Sequence, residues 1–150
     1  MSSQSISGTC LCTATSLSIS TTASPSLVFI CHCRDCQRLA GGTCQVVAVF
    51  NTPDITISKT PDAFKTYTIP GSSTHSGHDK AKVACERCGC TLYTIPMKWG
   101  GEKMVIRISL FDGGFERWKP TQEWFVKRRP AWLEAIDGAK QFDEVGGVGM

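Results

Sequence analysis

The chain has 150 residues, of which 41% are hydrophobic and 19% are charged, and its formal net charge is +3. These values are typical of a single globular domain with a buried core, and they exclude a largely disordered chain. The mild positive charge slightly favours small anionic ligands and is not in itself a signature of nucleic-acid binding.

The first third of the chain alternates predicted strands with closely spaced cysteines. Cys10 and Cys12 come first, and residues two apart in an extended segment lie on the same face. Apolar residues then alternate with Ser and Thr over 17–22, which predicts a half-exposed strand, and a second strand over 26–30 leads into the next cysteines. The most apolar and β-branched run, 43–50, predicts a buried strand.

The middle and later parts of the chain contain further short strands and another group of cysteines. Strands are predicted at 55–58, 64–69, 81–84, 91–95 and 104–110. Cys85 and Cys88 lie between two of these strands, in a turn where Gly89 can adopt the positive φ that such turns require.

Strands outnumber helices heavily, so the predicted fold class is mainly β with few short helices. One short helix is predicted over 130–136, with a proline near its first turn. We expect a single domain over 6–136 and a poorly ordered tail over 137–150.

Three cysteines, Cys31, Cys33 and Cys36, form the most distinctive motif of the chain. Side chains alternate along an extended segment, so Cys31 and Cys33 point the same way, and the next gap can bring Cys36 to the same point. Three convergent thiolates suit Zn²⁺, which structural sites hold with four protein ligands and catalytic sites with three. The motif therefore predicts a zinc site with one replaceable position.

The other paired cysteines, Cys10, Cys12, Cys85 and Cys88, together supply four thiolates. Four thiolates form a closed structural zinc site, which here would tie the start of the chain to a distant hairpin. Zinc binding contributes about 10–16 kcal/mol in zinc-finger peptides, whereas the stability of a typical domain is only about 5–15 kcal/mol. Such a site would decide whether the antiparallel sheets form.

The three-cysteine site could instead be closed by a fourth protein ligand, which would make both sites structural. Cys90 is the nearest candidate because it follows the last of the four cysteines by two residues, and His75 and His78 are others. His32 lies between two predicted ligands and is expected to face away from the metal. Cys44 begins an apolar strand and is expected to be a small core residue rather than a nucleophile.

The order and grouping of these motifs resemble the glutathione-dependent formaldehyde-activating enzyme family, which includes centromere protein V. The resemblance covers roughly residues 6 to 133 and rests on Gly8-x-Cys10-x-Cys12, Cys31-His32-Cys33-x-x-Cys36-x-x-x-x-Gly41, Cys85-x-x-Cys88-Gly89, Pro120-x-x-Glu123 and Arg129-x-x-Trp132. It implies a β-tent of sheets held by one four-cysteine zinc, as in the related zinc-binding exchange factors of Rab GTPases. It also implies a catalytic zinc held by Cys31, Cys33 and Cys36. Cys90 departs from the family pattern, in which Ser or Thr is expected.

These observations predict a zinc-dependent carbon–sulfur lyase or adduct-forming enzyme that acts with glutathione on a conjugate, an aldehyde or another small electrophile. Zn²⁺ favours soft sulfur ligands and stabilises thiolates, so the glutathione thiol could take the replaceable position. Arg34 and Arg38 flank the motif and are candidates for binding the glutathione carboxylates. We expect two zinc ions per chain, and a larger electrophile fits this aromatic-rich chain as well as formaldehyde does.

The alternative is a non-catalytic zinc module that binds nucleic acid or a protein partner through the basic and aromatic stretch 119–132. The mild net charge favours a small-molecule enzyme over nucleic-acid binding. No apolar run approaches the ~20 residues of a membrane-spanning helix, and the N-terminal residues do not resemble a signal peptide. Nine cysteines, an odd number, then indicate thiols and metal ligands, so we expect a cytoplasmic protein.

Overall fold

The computed structural model describes residues 4–60 and 62–146, and strands dominate them. The strands are β1 (Ser5–Thr9), β2 (Thr15–Ser20), β3 (Leu27–Cys31), β4 (Gln45–Asn51), β5 (Ile55–Lys59), β6 (Phe64–Ile69), β7 (Lys80–Cys85), β8 (Thr91–Pro96), β9 (Lys103–Arg107), β10 (Gln122–Trp124) and β11 (Lys140–Phe142). Two short helices, α1 (Arg34–Ala40) and α2 (Gly114–Arg117), accompany them. The mainly β fold class is confirmed. In the described part of the chain, every helix is too short or too polar to cross a membrane.

The strands form two sheets of unequal size. The small sheet has the order β1-β2-β5, and the large sheet has the order β11-β10-β3-β4-β9-β8-β7-β6. Neighbouring strands are antiparallel except at β10, which runs parallel to both β3 and β11. The expectation of antiparallel sheets therefore holds for most of the structure, and the parallel pairs lie at one edge of the large sheet.

One face of the large sheet packs against the small sheet and forms the main core. The side chains of Ala48, Phe50 and Ile106 are fully buried on this face. Leu17 and Ile19 of β2 pack against them from the small sheet. Alternating residues of each strand thus bury apolar area between two layers, which is the arrangement that a period of two predicts.

The opposite face of the large sheet carries a different set of side chains. Val105, Thr94 and Lys82 are paired across β9, β8 and β7, so they share this face. Phe29 and Cys31 belong to a second apolar cluster, on β3, which is separate from the main core. This face becomes the floor of the cavity described below.

The observed elements differ from the predicted ones mainly in the last third of the chain. Each predicted strand overlaps an observed one, whereas the sequence does not predict β1, β10, β11, α1 or α2. The predicted helix over 130–136 is wrong, because the chain makes only a turn in which the Leu133 amide donates to the Pro130 carbonyl at 3.0 Å. The amide of Ile136 donates instead to the Glu123 carboxylate at 2.8 Å.

The tail differs from the expectation of poor order over 137–150. Lys140–Phe142 forms β11 and pairs in parallel with β10, in a register that matches Trp124 with Phe142. The amide of Lys140 also donates to the carbonyl of Thr121 at 3.0 Å. Residues 147–150 lie outside the described part of the chain.

A buried carboxylate, that of Glu123, connects β3 to the C-terminal segment. Its Oε1 lies 3.0 Å from Nε2 of His32, and both side chains are only 1% exposed. Its Oε2 accepts hydrogen bonds from Arg129 at 3.2 Å, the amide of Ile136 at 2.8 Å and Gln141 at 2.7 Å. Desolvation raises the pKa of Glu123, but these hydrogen bonds, that of His32 foremost, lower it below its usual value. The carboxylate is therefore ionised and fully partnered.

We expect Glu123→Ala to lower the free energy of unfolding by about 3–5 kcal/mol, because it leaves buried donors without their acceptor. Urea denaturation would measure the change. Lys65→Ala is the matched control, since it removes only an exposed ion pair with Glu86 at 4.0 Å and should change stability little. If both substitutions changed the free energy of unfolding by similarly small amounts, the hydrogen bonds of Glu123 would not stabilise the connection between β3 and the C-terminal segment.

Candidate functional site

The first cysteine cluster lies where a turn of the small sheet meets a turn of the large sheet. Cys10 and Cys12 belong to the turn between β1 and β2, whereas Cys85 ends β7 and Cys88 belongs to the turn between β7 and β8. Their four Sγ atoms all lie within 4.8 Å of one another. The four cysteines that the sequence groups together therefore meet in space.

The spacing of these sulfur atoms fits a tetrahedral zinc ion. The Sγ atom of Cys12 lies 3.7 Å from that of Cys10 and 3.7 Å from that of Cys85. A tetrahedron with Zn–S bonds of about 2.3 Å has edges of about 3.8 Å, whereas a disulfide bond would require about 2.05 Å. The all-sulfur donor set is likewise typical of a structural zinc site.

Backbone hydrogen bonds shape the second of these turns. The amide of Gly89 donates to the carbonyl of Cys85 at 2.9 Å, and the amide of Cys85 donates to the carbonyl of Cys90 at 2.9 Å. Gly89 has a φ of +71°, in the region that only glycine adopts without strain. The tight turn places Cys88 beside the other three ligands.

The second cysteine cluster lies at the junction of β3 and α1. Cys31 ends β3, Cys33 is the N-cap of α1, and Cys36 is in the first turn of this helix. The backbone amide of Cys36 donates to Sγ of Cys33 at 3.4 Å, and the three Sγ atoms lie within 4.8 Å of one another. His32, between the ligands, points to Glu123, as expected for a residue that faces away from the cluster.

The electrostatics of this cluster favour a bound cation. Hydrogen bonds from Cys31 and Cys36 lower the pKa of Cys33 to about 2, whereas hydrogen bonds to its neighbours and then burial raise the pKa of Cys31. Ionisation of one of these clustered thiols therefore opposes ionisation of the others, because like charges would lie close together. A divalent ion with a preference for sulfur removes this conflict, so the donor set fits zinc.

Among the described residues, no fourth protein ligand joins this cluster. His75 lines the neighbouring cavity but lies outside the cluster, where it pairs with Glu144 at 3.5 Å. His78 belongs to neither cluster. Cys90 is also outside both and donates to the carbonyl of Thr91 at 3.8 Å.

Cys44 and Cys90 instead line a second, smaller cavity of about 380 Å³. Arg107 also lines it, is 8% exposed, and has an Nη2 atom without a hydrogen-bond partner. Cys44 is half-buried and belongs to neither apolar cluster, so it is not the small core residue that the sequence predicts.

A cavity of about 670 Å³ adjoins the three-cysteine cluster and is rich in cations. The cationic lining residues are Arg34, Lys80, Lys82, Lys98, Lys127 and Arg128. Of the two arginines predicted to bind glutathione carboxylates, Arg34 lines the cavity, whereas Arg38 is exposed and does not line it. Burial lowers the pKa of Lys82, and the neighbouring sulfurs of Cys36 and Cys33 act in the opposite direction.

Sequence reasoning missed the lysines, because the local pattern does not distinguish them from solvated residues. Lys80 and Lys82 are two residues apart in β7, so they share a face, while Val83 faces the core. Charged residues at alternate positions of a strand are the usual pattern of a solvated sheet face. Their distance from the cysteines along the sequence concealed the connection.

The other wall of the cavity is apolar and aromatic. Phe29 stacks on Trp124 with ring centroids 3.8 Å apart, and Trp99 and Phe125 complete the aromatic lining. Residues from the stretch 119–132 thus turn inward, which is the packing of a C-terminal segment onto a sheet. Only some of its residues remain exposed, including Trp132 at 75%.

Comparison with known proteins supports the reading of these motifs. The family model described as "Glutathione-dependent formaldehyde-activating enzyme" matches residues 5–128. No curated protein matches the chain significantly. A crystal structure of a Rhodobacter sphaeroides protein has a similar fold, with a TM-score of 0.55 and 13% identity over 91% of this chain and 99% of that one. The match over most of the chain confirms the resemblance drawn from the cysteine motifs, and the protein belongs to the glutathione-dependent formaldehyde-activating enzyme family.

Proposed function

We propose that the protein is a zinc-dependent enzyme that forms or breaks a carbon–sulfur bond of glutathione, with its reactive centre at Cys31, Cys33 and Cys36. The observation that carries this proposal is the three-cysteine cluster beside a cavity of about 670 Å³, with no fourth ligand from the described residues. Three protein ligands and one replaceable ligand are typical of catalytic zinc. Membership of a glutathione-dependent family supports the choice of thiol.

Zinc bound at this cluster would supply a Lewis acid that stabilises a sulfur ligand as a thiolate. In the forming direction, the glutathione sulfur adds to an aldehyde carbon, the carbon–oxygen π bond breaks, and the thiol proton ends on that oxygen. In the reverse direction, the carbon–sulfur bond breaks and the hydroxyl proton returns to sulfur. The ammonium group of Lys82, which lines the same cavity as Cys33 and Cys36, would stabilise negative charge on the substrate sulfur in both directions.

The remaining charges of the cavity suit the ends of glutathione. Glutathione carries two carboxylates and one ammonium group, and we assign Arg34, Lys80 and Lys98 to the carboxylates. Asp35, at the start of α1, also lines the cavity and can accept from the ammonium group. Arg38 has no part in this assignment because it lies outside the lining.

We infer that Cys10, Cys12, Cys85 and Cys88 hold a second zinc ion with a structural role. This ion would fix the turn of the small sheet to the turn of the large sheet, which the sulfur spacing of 3.7 Å supports. All nine cysteines are free of disulfide bonds, which agrees with the cytoplasmic location that we propose.

The two cysteine clusters should respond differently to substitution. We expect Cys85→Ser to lower the melting temperature and the soluble yield strongly, because loss of structural zinc removes folding free energy. Cys33→Ser should leave a folded protein without glutathione-dependent activity. Circular dichroism and an activity assay with glutathione and an aldehyde would separate the two effects. Equal loss of folding in both variants would contradict the division of roles.

Removal of metal should occur in two phases. Purified protein should contain about two zinc ions per chain, and a mild chelator should first remove the ion from Cys31, Cys33 and Cys36, since three thiolates hold zinc less tightly than four. Loss of the first ion should abolish glutathione binding, and loss of the second ion should lower the melting temperature. Elemental analysis along the titration would show the phases, and a single cooperative loss of both ions would count against the proposal.

Lys82 should matter for glutathione more than for folding. We expect Lys82→Met to weaken glutathione binding about 10- to 100-fold, because a charge-assisted interaction of about 1.5–3 kcal/mol is lost. The pH at which binding reaches half its maximum should also rise, since the thiolate loses a neighbouring cation. Isothermal titration calorimetry at several pH values would measure both, with the exposed Lys65→Met as control. An unchanged affinity of Lys82→Met for glutathione would show that Lys82 does not take part in glutathione binding.

A further inference from the structure

The cavity beside the three-cysteine cluster has two chemically different regions. Its cations are suited to the polar ends of glutathione, whereas the aromatic side chains near the cysteines have no counterpart in glutathione itself. Phe29 and Trp124 form a stacked pair, and Trp99 and Phe125 pack against the same apolar cluster. We propose that this aromatic region binds a large apolar or ring-bearing group carried on the glutathione sulfur, so that the substrate is a bulky glutathione conjugate or the matching aldehyde.

The sheet register places the apolar surface next to the reactive sulfurs. Phe29 precedes Cys31 by two residues in β3 and therefore shares its face. Val47 pairs with Phe29 in the neighbouring strand, and Val105 lies on the same face in β9. Both valines line the cavity. A group attached to a sulfur atom near Cys31 would therefore meet apolar side chains first.

The apolar surface is shared directly with the cysteine cluster. Cys33 and Cys36 are partly buried against the same group of side chains that contains Phe29 and Trp124. The carbon attached to a substrate sulfur would therefore leave water as it approaches the cluster. Burial of an aromatic ring in such a region is strongly favourable, whereas a hydroxymethyl group has almost no apolar area to bury.

The backbone at Phe125 indicates that the aromatic region is held in place. Phe125 has a φ of +58°, a left-handed conformation that bulky residues rarely adopt and that persists where the surrounding structure imposes it. Its amide donates to the carbonyl of Glu144 at 3.2 Å, and its ring meets His75 edge-on, with centroids 5.8 Å apart. Such strain is concentrated at ligand sites, which agrees with a ring positioned for contact.

The size of the cavity agrees with a bulky group. Its volume of about 670 Å³ is in the middle of the range of roughly 300–1,000 Å³ that accommodates drug-sized ligands. Formaldehyde would add only one carbon and one oxygen to glutathione, and such an adduct would leave the half-buried rings of Trp99 and Phe125 partly in contact with water. A conjugate with a ring on sulfur would cover them.

The inference rests on the proposed function, in which glutathione binds in this cavity. A series of ligands tests separately whether glutathione binds there and whether the aromatic region binds a bulky group on its sulfur. Zinc-loaded protein would be titrated with glutathione, S-methylglutathione and S-benzylglutathione, and binding would be followed by tryptophan fluorescence and calorimetry. The two thioethers differ only in the ring, so we expect S-benzylglutathione to bind about tenfold tighter or more. Because the readout is binding by the wild-type protein, it depends neither on turnover nor on the folding of a variant.

Two variants locate the effect in the aromatic region. Trp99→Ala and Phe125→Ala should each reduce the preference for S-benzylglutathione over S-methylglutathione about tenfold. Phe125→Ala should change the affinity for S-methylglutathione less than twofold, whereas Trp99→Ala also removes the ring whose centroid lies 4.2 Å from Nζ of Lys98 and so weakens both thioethers by a common factor. Trp132→Ala is the matched control, because Trp132 is 75% exposed and does not line the cavity. Zinc content would show that each variant retains its fold.

Each outcome has a definite meaning. Equal affinities for the two thioethers, with glutathione still bound, would overturn the inference and leave the proposed function standing. Failure of glutathione and both thioethers to bind would overturn the proposed function and the inference together. If Trp132→Ala reduced the preference for the benzyl group as much as Trp99→Ala does, the ring would not bind in the aromatic region. That result would also overturn the inference.

Discussion

The contact between His32 and Glu123 fixes the relative position of the parts of the chain that surround the cavity. These residues are 91 positions apart, and both side chains are excluded from water. His32 stands between Cys31 and Cys33, whereas Glu123 is followed by residues that form the aromatic wall. Neither group can be buried without a charged or hydrogen-bonding partner. The position of the cysteine segment and that of the wall are therefore set by the same carboxylate.

Side chains alternate between the two faces of the large sheet, so the residues of the main core and the residues that line the cavity lie on opposite faces. One face is buried against β2 and provides the apolar core, so it determines whether the fold forms. The other face carries Phe29, Val105 and Lys82, which differ in polarity across the strands. A change on this second face can alter ligand preference with little effect on the core. The choice of ligand is thus determined by the side chains of the site and not by the fold.

The features that could be predicted from the sequence are those that depend on local patterns. Cysteine spacing and strand periodicity are local, so the grouping of the ligands and most strands could be read directly. The seven residues of α1 are not predicted, because the two-residue gap before Cys36 does not by itself require a helix. Gly41, with a φ of +63°, ends this helix in the usual left-handed conformation. Strand β10 forms only by pairing with β3, which lies far away in the sequence, and β11 in turn pairs with β10. The predicted helix over 130–136 does not form, and the amide of Ile136 donates to the Glu123 carboxylate instead. Lys82 lines the same cavity as the cysteines because of the order of the strands in the large sheet, and no local sequence pattern indicates that order.

The distances along the chain between contacting residues also bear on the order of assembly during synthesis. Cys31, Cys33 and Cys36 belong to one short segment, so bringing them together costs little loop entropy and can occur while the chain is still emerging from the ribosome. Contact between Cys12 and Cys85 spans 73 residues, and that between His32 and Glu123 spans 91, so both must wait. The nascent chain thus carries these three thiols before the aromatic wall that encloses them exists. Until Glu123 has been added, nothing in the fold selects, by size or polarity, the electrophiles that meet these thiols.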